Sequence, residues 1–233
     1  NYMITYEMEE YDPELDQMLF YLPVIGSTFK KVYSDPLKGR AVSKFIHAED
    51  IIVPYGASDL SSSPRVTHRL TMDSNEIRKL QLAGFYRDID LPSESEGQDS
   101  AMDEVEESID EIQGIRPSGP SEELTLYEVH TSLDIEGLED VGEDGEPTGL
   151  RLPYIVTIVA DSGDVLSVRR NYDPMDEMKR AKQYFVHYKF LPGLGFYGLG
   201  LTHMIGGLAQ ASTSILRQLI DAGTLSNLPA GFK

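Results

Sequence analysis

The sequence predicts an α+β fold, built mostly from antiparallel hairpins with packed helices. Three observations predict it. Residues 27–33 and 41–46 are β-rich and flank the turn Asp35-Pro36-Leu37-Lys38-Gly39. Residues 154–159 and 165–170 repeat that arrangement around Asp161-Ser162-Gly163-Asp164. A long amphipathic stretch at helical period follows near the end of the chain.

The elements follow in order. Residues 1–25 read as a helix interrupted at Asp12-Pro13. Leu15, Met18, Leu19 and Leu22 are at helical spacing, and Pro23 and Gly26 end it. In the first hairpin, Pro36 fixes φ and Gly39 accepts a positive φ, which specifies the turn. Ile51-Ile52-Val53 has the apolar character of a short buried strand, and 56–64 is a polar loop. Val66, His68 and Leu70 then alternate with Thr67 and Arg69. Asp73 and Glu76 have the spacing of a capping box, opening a helix on Ile77, Leu80 and Leu82 that Gly84 closes. A second β region contains Leu124, Leu126, Val129, Thr131 and Leu133, then an acidic loop at 134–149 and the second hairpin. Residues 184–190 form a further strand. A helix over 201–222 completes the set, with Gly223 past its end.

Charge divides the chain. The net charge is −19, yet 88–146 holds 21 acidic residues against Arg116 alone. The remainder, with 18 acidic and 19 basic residues, is close to neutral. The acidity therefore belongs to one region and does not describe the folded surface. Residues 88–120 are rich in Ser, Glu, Asp, Gly and Pro. Such a segment buries too little surface to offset chain entropy. The expected organisation is one α+β domain formed by 1–87 and 122–233, interrupted at 88–121 by an acidic, partly mobile insertion. A short helix over 101–112 is expected inside it.

Other classes are bounded by what is missing. There is no Cys, which excludes disulfides, thiolate catalysis and Cys-based zinc sites. No run of 18 apolar residues occurs, so no membrane partner is expected. The residues at both ends have the character of an internal piece of a longer polypeptide. There is no G-x-S-x-G, Walker A or H-E-x-x-H sequence. His47, His68, His130, His187 and His203 are far apart in sequence, and structural roles are expected for them. The acidic run 139–146 lacks the order of an EF-hand loop. No metal, cofactor or catalytic residue is therefore expected.

Gly193, Gly195 and Gly198 match G-x-G-x-x-G between a strand and a helix, the context of a dinucleotide loop. The rest of that fold has no room: 35 residues follow Gly198, and the position for a second strand is helical. Phe196 and Tyr197 are bulky where a phosphate would approach. The other reading is that the glycines permit a sharp turn and close packing.

The last helix is informative. Leu201, Met204, Ile205, Leu208, Ile215, Leu216, Leu219 and Ile220 form an apolar stripe. Elsewhere it carries Gly206, Gly207, Gln210, Ser212, Thr213 and Ser214, with Arg217 as its basic residue. Few charges on any face imply burial on both sides, by its own domain and by a neighbour. Gly206, Gly207, Gln210, Ser214 and Arg217 are the candidate subunit-packing residues. Lys179, Arg180, Lys182 and Lys189 form a modest basic set, candidates for weak phosphate or partner contact.

These strings carry a resemblance. The run YFVHYKFLPGLGFYG at 184–198 resembles the portal (head-to-tail connector) proteins of podovirus-like tailed bacteriophages. So do LTHMIGG at 201–207, ILRQLIDAGTL at 215–225, STFKKVYSDP at 27–36 and EDIIVPYGA at 49–57. The acidic middle does not share in it. The resemblance implies a non-enzymatic structural subunit of a twelve-fold ring at one capsid vertex. Double-stranded DNA passes through such a ring during packaging and ejection. The packaging ATPase and the tail or adaptor proteins dock on it. Location in the virion, and in the host cytoplasm during assembly, follows from the same likeness. The hairpins and helices resemble the outer, wing-like region of a portal subunit. The alternative reading is a nucleotide-binding enzyme using the loop at 193–198.

Overall fold

The computed structural model describes residues 7–91, 123–141, 144 and 146–227. The fold is α+β, with two antiparallel sheets and three helices among the described residues. Contacts divide the chain into two compact units, Asn1–Ala48 with Tyr184–Lys233, and Glu49–Gln183. The sequence suggests a single body from 1–87 and 122–233, so the observed boundaries run elsewhere. The chain leaves the first unit after one hairpin and returns to it near residue 184. The expected acidic insertion lies, from residue 92 onward, outside the described residues, as does the helix expected over 101–112.

The first unit opens with helix α1, Tyr11–Ile25. It is not interrupted at Asp12-Pro13. Pro13 lies in the first turn, where its missing N–H would have had no helical partner. Pro23 does not end the helix either, which runs two residues further. Gly26 stops it as expected, at φ 95° with its N–H on the carbonyl of Leu22. Strands β1 (Ser27–Asp35) and β2 (Arg40–Ile46) form the expected hairpin. The third strand, β8 (Phe185–Lys189), pairs antiparallel with β1, Phe29 opposite His187. The order is β2-β1-β8. Helix α1 lies against β1 and β2, with the Tyr21 ring 5.7 Å from Phe45 and 4.8 Å from His47. Ser27 to Lys31 are all buried, as a central strand covered on both faces requires.

The second unit is a five-stranded sheet in the order β3-β4-β5-β6-β7. The strands are β3 (Ile51–Ile52), β4 (Arg65–Asp73), β5 (Glu123–Leu133), β6 (Leu152–Val159) and β7 (Val165–Arg170). Helix α2, Ser74–Leu82, follows β4 directly. Ile77 packs with Leu124, Leu126, Val159 and Leu166 to make the main core. Asp73 is the helix N-cap in an extended conformation, but its side chain makes no capping bond, so the expected capping box does not form. Gly84 takes the positive φ expected of a helix-closing glycine. Beyond the apolar core, one cross-strand row on the same face is polar and buried: His68, Glu128, Thr157 and Ser167. It is tied by Ser167 Oγ to Thr157 Oγ1 at 3.1 Å, and by Glu128 to His130 Nε2 at 2.7 Å.

The last helix, α3, is Leu201–Asn227. It continues through Gly223, where the sequence suggests a stop. A glycine inside a helix costs only about 1 kcal/mol, less than the turns on either side supply.

The backbone is tightest where α1 ends and α3 begins. A Cβ on Gly200 would lie 2.3 Å from the carbonyl oxygen of Val24, and one on Gly26 2.3 Å from the nitrogen of Gly200. Both neighbours are main chain and cannot swing aside. Gly200→Ala is expected to cost more than about 3 kcal/mol. Gly195→Ala, at an open position, is expected to stay within about 1 kcal/mol. Urea denaturation of both variants checks the contrast.

Candidate functional site

The strongest sequence signals converge on the segment from β8 into α3. Phe190 N–H bonds Gly26 O at 3.0 Å, and Leu191 and Leu199 exchange backbone bonds across the loop. Gly198 faces Gly26: a Cβ there would lie 2.5 Å from the Gly26 oxygen. Gly198 N–H donates to Ser27 Oγ at 2.7 Å. Gly200 N–H donates to His203 Nδ1 at 3.2 Å, so His203 satisfies the start of its own helix. Thr202 Oγ1 donates to Val24 O at 2.9 Å. The loop's glycines thus serve close contacts within the chain, and Gly195 alone of Gly193, Gly195 and Gly198 has open space beside it.

His187 stands at the centre of this packing. Its ring packs against both Phe29 and Phe196, with centroids 4.3 and 4.8 Å away, and those two rings also meet each other at 6.0 Å. Its Nε2 is 3.2 Å from Ser27 Oγ. Ser27 Oγ also accepts the Gly198 N–H, so one hydroxyl links the ring to the glycine loop. Burial, then the charge of Lys189, pulls the His187 pKa down to about 4. His47, between Tyr21 and Phe45, is likewise a packing residue.

Helix α3 departs from expectation. It is exposed along nearly its whole length, with Gly206 alone half-buried among 201–226. The expected cover from its own domain is absent over that span. Leu208, Leu219, Ile220 and Leu225 are each 63–70% exposed. Gly206, Gln210 and Arg217 follow one another at helical spacing, with Gly207 and Ser214 on the adjoining line. A Cβ at Gly206 or Gly207 would meet nothing within 4 Å. Nothing among the described residues therefore requires glycine at either position.

The basic set is divided between the two units. Lys179 pairs with Asp140, and Arg180 Nε lies 3.0 Å from Asp176 Oδ2. Both pairs belong to the Glu49–Gln183 unit, as does exposed Lys182. Lys189 belongs to the other unit, with its amine 5.9 Å from the Phe196 ring centroid. Two of the four cations thus already hold carboxylate partners. Among the described residues no group of three His, Asp or Glu side chains is placed to hold a metal. No described helix is long and apolar enough to cross a membrane.

Sequence reasoning missed Ser27, Gly200 and the role of His187. Gly26 was legible only as a helix stop. The signal for its partner was the second glycine pair, Gly198 and Gly200, which the cofactor-type spacing of 193–198 obscures. Comparison with known proteins gives no family model that matches the chain, and no curated sequence matches it.

The depressed pKa of His187 has a signed consequence. The folded state prefers the neutral ring, so its stabilisation is full above the unfolded value near 6.5. It is lost as pH falls from there to about 4. Discounted for the solvent reaching a half-buried ring, the loss is about 1–2 kcal/mol. Unfolding free energies from urea titrations are expected to fall by that amount between pH 7 and pH 4, and to fall less in His187→Phe.

Proposed function

We propose that this chain is a structural piece of a portal-type ring subunit, with no catalytic role. The observation that carries the reading is α3. A helix of 27 residues is about 40 Å long. Its apolar stripe is left in water, and a continuous exposed apolar surface marks an interaction site. Such a surface belongs against a neighbour. Gly206 and Gly207 support the same reading, because a mid-helix glycine with open space beside it among the described residues suits the close approach of another backbone. The residues proposed to pack against the next subunit remain Gly206, Gly207, Gln210, Ser214 and Arg217.

Further support comes from the strand pairings, which are all antiparallel. A dinucleotide fold needs a parallel sheet at its glycine loop. The cofactor reading of 193–198 also loses the Gly198 N–H, spent on Ser27, and the space beside Gly193 and Gly198. The rest of the proposal follows the sequence likeness. The partners are further copies of the chain in a twelve-fold ring, the packaging ATPase, tail or adaptor proteins, and double-stranded DNA in the channel. The sites of action are the capsid vertex and, during assembly, the host cytoplasm. This piece corresponds to the outer, wing-like part.

Sedimentation velocity tests the reading. The chain is expected to self-associate as its concentration rises. Leu216→Asp with Leu219→Asp should abolish association while moving stability by less than about 0.5 kcal/mol, because those side chains are already exposed. Gly207→Ala should raise helix stability by up to about 1 kcal/mol and weaken association. A chain that stays monomeric at every concentration, or heat released on titration with NAD or ATP, would overturn the proposal.

A further inference from the structure

We propose that the loop between β8 and α3 carries a flap, residues 192–197, that is latched at His187 and opened by acid. The flap is lightly held. Phe196 is the one buried side chain of 191–199, while Leu194, Tyr197 and Leu199 are exposed. A segment with so few buried contacts opens before the sheet it lies on. Its ends are fixed, because Leu191 and Leu199 exchange backbone bonds, and Gly198 and Gly200 abut the main chain at Gly26. Within it, a Cβ on Gly193 would fall 2.6 Å from the Tyr197 carbonyl oxygen, so its two arms pack on each other. The flap therefore moves as a body about a closed neck.

Both of its fastenings meet at one imidazole. The first is the Phe196 ring, whose centroid is 4.8 Å from that of His187. The second is the N–H of the peptide joining Tyr197 to Gly198. It donates to Ser27 Oγ at 2.7 Å, and the same oxygen is 3.2 Å from His187 Nε2. A change of charge on His187 is therefore felt by the flap's one buried side chain and by the hydroxyl that holds its last peptide.

The surroundings oppose a positive ring. Register puts Ser27, Phe29, Lys31 and Tyr33 of β1 on the same side as Phe185, His187 and Lys189 of β8, with Lys44 of β2 opposite Lys31. The flap adds Tyr197, and the start of α3 adds His203. Asp35 is the one Asp or Glu of the three strands and of 190–200, and it lies at the far end of β1, opposite Arg40. Burial, then Lys189, holds the pKa of the closed ring down at about 4. With the flap open the ring meets water and returns toward 6.5, so the open form takes up the proton more readily. Above about 6.5 the closed form is undisturbed. As pH falls from there to about 4, the balance moves to the open form. Opening turns Phe196 to water, while α3 keeps its anchor at Val24.

Amide hydrogen exchange, followed by NMR on the full chain, tests this at Gly198. Its protection factor is expected to fall about tenfold between pH 7 and pH 4, the equivalent of one pKa unit. At both pH values Gly198 should be less protected than Val32, whose N–H holds Tyr184 O in the sheet. His187→Phe keeps an aromatic ring in the packing and should hold the Gly198 value level across the range. Lys189→Met removes the neighbouring charge and should shrink the fall, and it carries the test if His187→Phe does not fold. A Gly198 protection factor that does not change with pH overturns the proposal. So does an equal fall in His187→Phe, or equal protection of Gly198 and Val32, which would mean that the loop opens only with the whole unit.

Discussion

The first unit depends on one constraint, the mutual approach of Gly26, Gly198 and Gly200. At each of the three, a Cβ would fall within 2.5 Å of main-chain atoms of the facing segment. The end of α1, the start of β1, the loop after β8 and the start of α3 all pass through this point. Because the contact is backbone on backbone, it sets directions as well as distances. It places Ser27 Oγ under the Gly198 N–H and Val24 O under the Thr202 hydroxyl. It also closes Phe196 over His187 and Phe29. The imidazole favours its neutral form because it is buried against two aromatic rings with the Lys189 charge nearby.

Away from that point the same unit is held by charge. The acidic residues of α1 reach the β2 edge through Arg40 and through the Phe45 amide. Each of these groups is one that an unprotected edge would offer to another chain. The helix therefore masks an edge and covers a buried lysine, while leaving Leu19, Phe20, Val24 and Ile25 exposed. The second unit solves its problem differently. Its sheet is sealed by Ile77 and the residues around it, and the polar row from His68 to Ser167 is enclosed with its own bonds.

Helix α3 begins at this lock. Its first turn is anchored at Gly200 and Val24, and the remaining turns carry an apolar stripe, nearly without charge, that none of the described residues covers. A helix so anchored behaves as a rigid arm, since the interlocked backbone at its base cannot rotate without a clash. Rigidity at the base and an open apolar length beyond it suit a subunit held between neighbours. They do not suit a cofactor loop, whose backbone donors must be free.

Much of the local structure was written in the sequence. Both hairpins, the α2 helix and the glycine stops at Gly26 and Gly84 follow from turn chemistry and hydrophobic period, which act over a few residues. The capping box at Asp73 and the break at Asp12-Pro13 did not follow. Local propensity there yielded to the strand before α2 and to the tolerance of a first helical turn for proline. The candidate site was half legible: the glycines and the striped helix stood out, but their meaning did not. Ser27 and Gly198 are 171 positions apart, and β1 meets β8 across a similar distance. No local pattern encodes such a pairing. By itself, then, the sequence determined which segments are strands and helices and that α3 has an apolar face. Only the tertiary structure decided that the glycines grip each other and that α3 stands uncovered, because both depend on which distant backbones come within a few ångströms.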